Sequence, residues 1–221
     1  MKLECVIFDL DGVIVSTDEQ HYLGWKRIAD EEGIDFDREI NLRQRGVSRM
    51  ESLEVLLERA QKTYSEQEKI ALAERKNGYY KELIKQIRAD DVLPGFREFF
   101  ADLRARGVKC AVGSSSRNTQ SILRSIGLSG AFDFVADGTM IQRSKPFPDV
   151  FLKAAEGAGA NPAACLVVED ADAGVRAGKA AGMKVLAIAA AAGNGEADFS
   201  ARDLTEVSAE TLIAAMEGAK Q

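Results

Sequence analysis

Residues 4–12 read ECVIFDLDG, and the fold turns on this stretch. Cys5 to Phe8 is an unbroken apolar run without helical period, the pattern of a strand buried on both faces of a parallel sheet. It runs straight into Asp9, Asp11 and Gly12, so the strand ends in an acidic loop. Similar runs recur at 108–112 (VKCAV), 132–136 (FDFVA), 165–168 (CLVV) and 184–189 (KVLAIA), separated by helical patterns such as 96–106 and 149–156. Alternation of this kind predicts an α/β fold with a Rossmann-like parallel sheet.

Between the first run and the second, about residues 15–93, there is no strand signal and there are several amphipathic periods. The expected organisation is therefore an α/β core formed by 1–14 and 94–221, with an α-helical domain inserted at 15–93. Ser48 and Glu51 predict a capping box, after which Leu53, Leu56, Leu57 and Ala60 share one helical face. Lys76 falls on the stripe Ala73, Tyr80, Ile84 and Ile87, where a solvated lysine is unexpected, so its side chain should reach into a cleft. Pro94 and Gly95 mark the return to the core.

Composition narrows the class. With 221 residues and 46% hydrophobic content the chain can bury a substantial core without staples. A net charge of -6 argues against a sequence-independent grip on nucleic acid, which needs a basic face. Cys5, Cys110 and Cys165 each sit in or beside an apolar run and are expected to be free core thiols. No stretch is long and apolar enough for a bilayer, and residues 1–8 lack a leader pattern, so no membrane partner, cytoplasmic residence and a monomer are expected.

In an open parallel sheet, ligands bind beyond the carboxyl ends of the strands. Those ends carry Asp9 and Asp11, then Ser114, Ser115, Ser116, Arg117 and Asn118, then Ser144 and Lys145, then Glu169 and Asp170. Four acids in one cleft require a cation, and an all-oxygen donor set favours Mg²⁺. Lys145 supplies a point charge, Ser114 and nearby backbone groups supply donors for phosphoryl oxygens, and Arg117 adds charge. Each piece has a bland reading in isolation. Glu169 and Asp170 could cap the following helix, Lys145 before Pro146 could be a turn lysine, and His21 and Trp25 could be structural. A calcium-loop reading of DLDG fails at Val13, which occupies the next ligand position.

Taken in order, FDLDGV, the strand ending at Ser114, Lys145-Pro146 and VVED at 167–170 resemble the four motifs of the haloacid dehalogenase superfamily. The resemblance implies Asp9 as the nucleophile that becomes an aspartyl phosphate and Asp11 as general acid and base. It implies Mg²⁺ held by Asp9, the Asp11 backbone and Asp170 with help from Glu169, and a helical insertion serving as a mobile cap.

Within that superfamily the cap segment RGVSR at 45–49, His21 with Trp25, RKN at 75–77 and SSSRN at 114–118 resemble the β-phosphoglucomutase branch. This implies a sugar phosphate substrate, contacted by Arg45, Gly46, Val47 and Arg49. It further implies that Ser115, Ser116, Arg117 and Asn118 hold the non-transferring phosphate, while His21, Trp25 and Lys76 help to assemble the site. The chain departs from that branch at Ser16, where aspartate is common, and at Arg45 and Arg117, where lysine is common; arginine keeps the charge but donates through a planar fork. Two alternatives remain at this stage. A sugar-phosphate phosphatase of the same superfamily would share every core motif. A phospho-acceptor signalling module also combines acids, a hydroxyl and a lysine, but would carry its acceptor on a middle strand and lack the insertion.

Overall fold

The structure, a computed structural model, describes residues 2–44 and 47–218. The chain divides into two compact units, one running up to Ser16 and again from Arg88 onward, the other from Thr17 to Ile87.

Strand β1 (Cys5–Phe8) opens the first unit. The second unit holds α1 (Asp18–Glu32), α2 (Arg38–Leu42), α3 (Arg49–Leu57) and α4 (Glu66–Leu83). Each helix boundary has a local cause. Helix α1 stops at Gly33, whose φ of 68° closes the last turn at no Cβ cost. Asp37 accepts the Ile40 N–H at the start of α2, and full capping boxes, Ser48 with Glu51 and Ser65 with Glu68, start α3 and α4. The apolar stripes meet around Trp25, Ile28, Phe36, Ile40, Leu53, Leu56 and Leu72. Helix α3 ends at Leu57, so Ala60 packs on this cluster from beyond the helix, and Ile84 and Ile87 likewise lie past the end of α4.

The first unit continues with α5 (Phe96–Ala105), β2 (Lys109–Gly113), α6 (Thr119–Ser125), β3 (Phe134–Ala136) and α7 (Asp149–Ala158). It closes with β4 (Cys165–Glu169), α8 (Asp172–Ala180), β5 (Lys184–Ala187), β6 (Phe199–Ser200) and α9 (Ala209–Gly218). Among the described residues the sheet has six strands, all parallel, in the order β3-β2-β1-β4-β5-β6. This is the Rossmann-like sheet expected from the alternating runs.

The alternation along β1 assigns its two faces. Cys5 and Ile7 join Ala111, Phe151, Val167, Val175 and Val185 in one buried layer, while Phe8 packs edge-on against Phe96 with ring centroids 5.3 Å apart. Boundaries shift by one residue from the pattern reading at β2 and β4, and by more at two other strands. The β3 run begins at Phe134, and the last apolar run leaves the sheet after Ala187 because Ala189 adopts a φ of 49°. Strand β6, only two residues long, had no sequence signal. The three cysteines are free and buried, and burial pushes the Cys110 thiol up to about 12. No helix among the described residues is long and apolar enough to cross a membrane.

Candidate active site

Register brings the acids together. Phe8 lies opposite Val112 on one side and Val168 on the other, so Asp9, the residue after β1, emerges beside the ends of β2 and β4. The Asp9 N–H donates to the Val168 carbonyl at 3.0 Å, which fixes the exit of the chain. The segment then turns sharply: Ile14 and Val15 both donate back to the Leu10 carbonyl, and Gly12, at φ 83°, donates to Val15. Gly12 is obligatory on two counts, since its φ is left-handed and a Cβ there would overlap the Asp170 carboxylate.

Asp9, Lys145 and Glu169 are buried charged groups. The Lys145 ammonium donates to Asp9 Oδ1 at 2.5 Å and to Glu169 Oε1, and lies 4.7 Å above the Phe151 ring centre. The other Glu169 oxygen accepts the N–H groups of Asp170 and Ala171 at 3.0 and 3.1 Å. Every carboxylate oxygen of Glu169 is thus engaged, and the residue ties Lys145 to the entrance of α8.

The electrostatics follow from this crowding. Burial alone would lower the Lys145 pKa, but Asp9 and Glu169 outweigh it and hold the ammonium charged above its ordinary range. Burial pushes Glu169 up to about 7, with Lys145 pulling against it and Asp9 adding to it. Asp170 is pushed up to about 9, first by burial and then by the charges of Glu169, Asp9 and Asp11. Such a group stays protonated unless a cation arrives.

Among the described residues, one group of acids can present one oxygen each within 4.8 Å of one another: Asp9, Glu169 and Asp170. The donors are all oxygen, and like-charge repulsion within the group is what a divalent ion relieves, so the residues fit Mg²⁺. Asp9 and Asp170 are the members best able to ligate, because the oxygens of Glu169 are already taken. The Asp11 carboxylate stands outside this trio yet near enough to act on Asp170.

The loop after β2 is folded on its own hydroxyls. Buried Ser114 accepts the Ser116 N–H at 3.1 Å, Ser116 Oγ accepts the Asn118 N–H at 3.2 Å, and Thr119 donates to the Ser116 carbonyl at 2.8 Å. The Ser114 hydroxyl proton is left to donate outward. Ser115 Oγ is buried without a partner, Arg117 is exposed with its Nε toward the Gly138 carbonyl, and Asn118 is buried at the start of α6.

In the helical unit, Lys76 is buried instead of solvated. Its Nζ lies 2.8 Å from His21 Nδ1 and 4.9 and 4.7 Å from the Trp25 and Tyr80 ring centres. An ammonium can only donate, so Nδ1 accepts and the imidazole proton sits on Nε2. Burial, then the charges of Lys76 and Arg49, hold His21 well below its usual pKa, consistent with that neutral ring. Trp25 is in the hydrophobic centre of the unit, while Val47 and Arg49 are half-buried at the start of α3. Arg45 and Gly46 lie outside the described residues. Pattern reading passed over Gly174, which only the packing around Glu169 reveals; an unforced glycine in the first turn of a helix was the available signal.

Comparison with known proteins finds relatives along nearly the whole chain. A β-phosphoglucomutase of Bacillus subtilis (strain 168) is 40% identical over 216 residues, covering 95% of this chain and 94% of that protein. A phosphorylated carbohydrates phosphatase of Thermotoga maritima is 28% identical over 96% of this chain and 97% of its own. The crystal structure of a β-phosphoglucomutase from Clostridium difficile superposes with a TM-score of 0.91 at 35% identity, covering 99% of this chain and 98% of that one. The haloacid dehalogenase-like hydrolase model matches residues 3–182, a span that contains every acid, hydroxyl and lysine of the cluster at the strand ends, and the chain belongs to that family of enzymes.

Proposed function

We propose that the chain is a Mg²⁺-dependent phosphomutase that interconverts β-D-glucose 1-phosphate and β-D-glucose 6-phosphate through an aspartyl phosphate on Asp9 and the glucose 1,6-bisphosphate. The observation that carries the reading is the Lys145 ammonium held against Asp9 by a fully engaged Glu169, in a chain 40% identical to a β-phosphoglucomutase over nearly its whole length.

The chemistry is one of positioning and charge neutralisation. An Asp9 oxygen attacks the phosphorus and the sugar oxygen leaves with the electrons of the P–O bond. Lys145, bound to Asp9 and Glu169, offsets negative charge as it develops on the phosphoryl oxygens. The Ser114 hydroxyl donates to one of those oxygens. Asp11, two residues beyond the nucleophile, gives a proton to the departing sugar oxygen and takes one from the hydroxyl that attacks the aspartyl phosphate. Asp9, the Asp11 backbone and Asp170 would hold Mg²⁺, which would supply further neutralisation of the phosphoryl group. In this reading the core unit performs the transfer, while residues of the helical unit, Arg49 and the His21–Lys76 pair among them, select the sugar phosphate.

A phosphatase reading is favoured by the 28% identity to a phosphorylated carbohydrates phosphatase, in which water would replace the sugar hydroxyl as acceptor. The two separate in one measurement. The protein is incubated with β-glucose 1-phosphate, Mg²⁺ and a trace of the bisphosphate, and glucose 6-phosphate is measured against free phosphate. Glucose 6-phosphate in large excess is expected, with the α anomer inert. Free phosphate as the main product would assign the chain to the phosphatases, and an Asp9→Ala variant as fast as the parent would refute the covalent route altogether.

A further inference from the structure

Helix α8 carries two glycines four residues apart, Gly174 and Gly178, in an interior where glycine is a poor helix former. Both face the sheet, but they meet different things. A Cβ at Gly178 would press on the Val185 side chain at 2.7 Å, so this glycine serves ordinary helix-on-sheet packing. A Cβ at Gly174 would overlap the Glu169 carboxyl group itself, with its carbon and both oxygens the nearest atoms. The Glu169 carboxylate therefore lies flat on the bare backbone of the first turn of α8. That placement lets one oxygen reach the Asp170 and Ala171 N–H groups while the other holds Lys145. Helix α8 has no side-chain cap of its own at Ala171, and Glu169 accepts the N–H groups of Asp170 and Ala171 at its entrance.

We propose that Gly174 is a positioning residue for phosphoryl transfer: the absence of its side chain seats the Glu169 carboxylate so that Lys145 is aimed at Asp9. The inference rests on the assignment of Asp9 as phosphoryl acceptor for its kinetic arm, but its structural arm does not. A carboxylate lifted off Gly174 by a methyl group would draw the Lys145 ammonium away from Asp9 or lose it. Misplacement of such a group by about 1 Å costs on the order of 100-fold in rate.

The test is a cycle of Gly174→Ala and Glu169→Asp, with Gly178→Ala as the packing control. Shortening Glu169 by one methylene withdraws the carboxyl group from the position a Cβ would take. Two readouts are used: the melting temperature of the metal-free protein, and kcat and KM for phosphoryl transfer from a small acyl phosphate as well as from the sugar phosphate. Gly174→Ala is expected to lower kcat about 100-fold with KM within about threefold, and to cost less than about threefold more when added to Glu169→Asp. Its loss of melting temperature should shrink in the same background, whereas that of Gly178→Ala should not. If Gly174→Ala alone does not fold but the double variant does, the clash with Glu169 is still established as the cause. Equal losses in both backgrounds, a kcat close to the parent, or a double variant that also fails to fold would each overturn the proposal. Since the melting arm needs no substrate, coupling seen there without sugar-phosphate turnover would count against the mutase assignment and leave the role of Gly174 standing.

Discussion

The two units of this chain handle charge in opposite ways. Lys76 apart, the helical unit sets its charges largely on the surface, in pairs such as Arg38–Glu19, Arg43–Glu58 and Arg59–Asp37, whose side chains remain about half in water. The core unit instead buries Lys145 and Glu169, at 3% and 1% side-chain exposure, against a third charge on Asp9. Exposed pairs contribute little, and a buried cluster is costly to build. A protein needing only stability would do better with apolar residues at the strand ends. The contrast itself therefore marks the ends of β1 and β4 as the place where stability is given up for chemistry.

The sharpest way to break the comparison is to remove one partner from each kind of pair. Lys145→Met leaves Glu169 and Asp9 buried without their cation and is expected to destabilise the protein by about 3–5 kcal/mol, read by denaturant unfolding at pH 8. The loss should be smaller at pH 5.5, because Glu169, already raised to about 7, takes up a proton there instead of remaining a bare charge. Arg43→Ala, which deletes an exposed pair with Glu58, should leave the unfolding curve where it was. Equal effects of the two substitutions would remove the distinction between the units.

A second prediction uses pH and metal. In the native state Asp170 keeps its proton up to about pH 9, whereas the unfolded chain releases it near 3.8. The native state thus binds more protons at this group across that window, so the contribution of Asp170 to metal-free stability falls as pH rises from about 4 to 9. Glu169, raised from 4.5 to about 7, acts in the same direction. Mg²⁺ takes over the neutralising role of those protons. Its addition should raise the melting temperature more at pH 8 than at pH 5, with calorimetry showing proton release on binding. An Asp170→Asn variant whose metal-free melting temperature keeps the parent's dependence on pH between 4 and 9 would contradict the cluster as described.

Much of this site was legible because several of its residues directly follow or end an apolar run, although Lys145 lies in the loop well past β3. Asp9, Ser114 and Glu169 could be placed at strand ends without any knowledge of how the strands pair, since parallel strands present their carboxyl ends on one edge of the sheet. What could not be read were relations across long separations. Lys76 was conspicuous as a charge on an apolar stripe, yet its partner, His21, lies 55 residues away and is chosen by the packing of α1 on α4. The occupancy of both Glu169 oxygens depends on Lys145 and on the backbone entering α8, and neither follows from the VVED pattern. Strand β6 escaped because two residues are too few to show a period.

His21 offers a smaller test, in the unit where charge is otherwise superficial. Its pKa lies well below 6.5, so the unfolded chain binds a proton that the native ring refuses. Stability from this group is complete above pH 6.5 and is lost as pH falls below it, with a slope of at most about 1.4 kcal/mol per pH unit. In His21→Asn a side-chain oxygen can still accept from Lys76, but nothing titrates, so the acid limb of the stability profile should flatten between pH 6.5 and 5. An unchanged acid limb would place its origin in other groups.

The smallest effect expected concerns a glycine again, and it separates the two units once more. Gly78 lies inside α4 on an exposed face, and a Cβ added there would meet nothing within 4 Å. With space available and a helical backbone, alanine removes conformational freedom from the unfolded chain and improves helix propensity. Gly78→Ala should therefore stabilise the protein by about 1 kcal/mol, seen as a shift of the unfolding midpoint at constant slope. The identical substitution at Gly174 also falls within a helix and should gain the same propensity, yet it meets the Glu169 carboxyl group. Opposite signs from one chemical change would show that the glycine of α8 is retained for what lies above it. If both substitutions stabilised the protein, the close seat of Glu169 on α8 would have no hold on the fold.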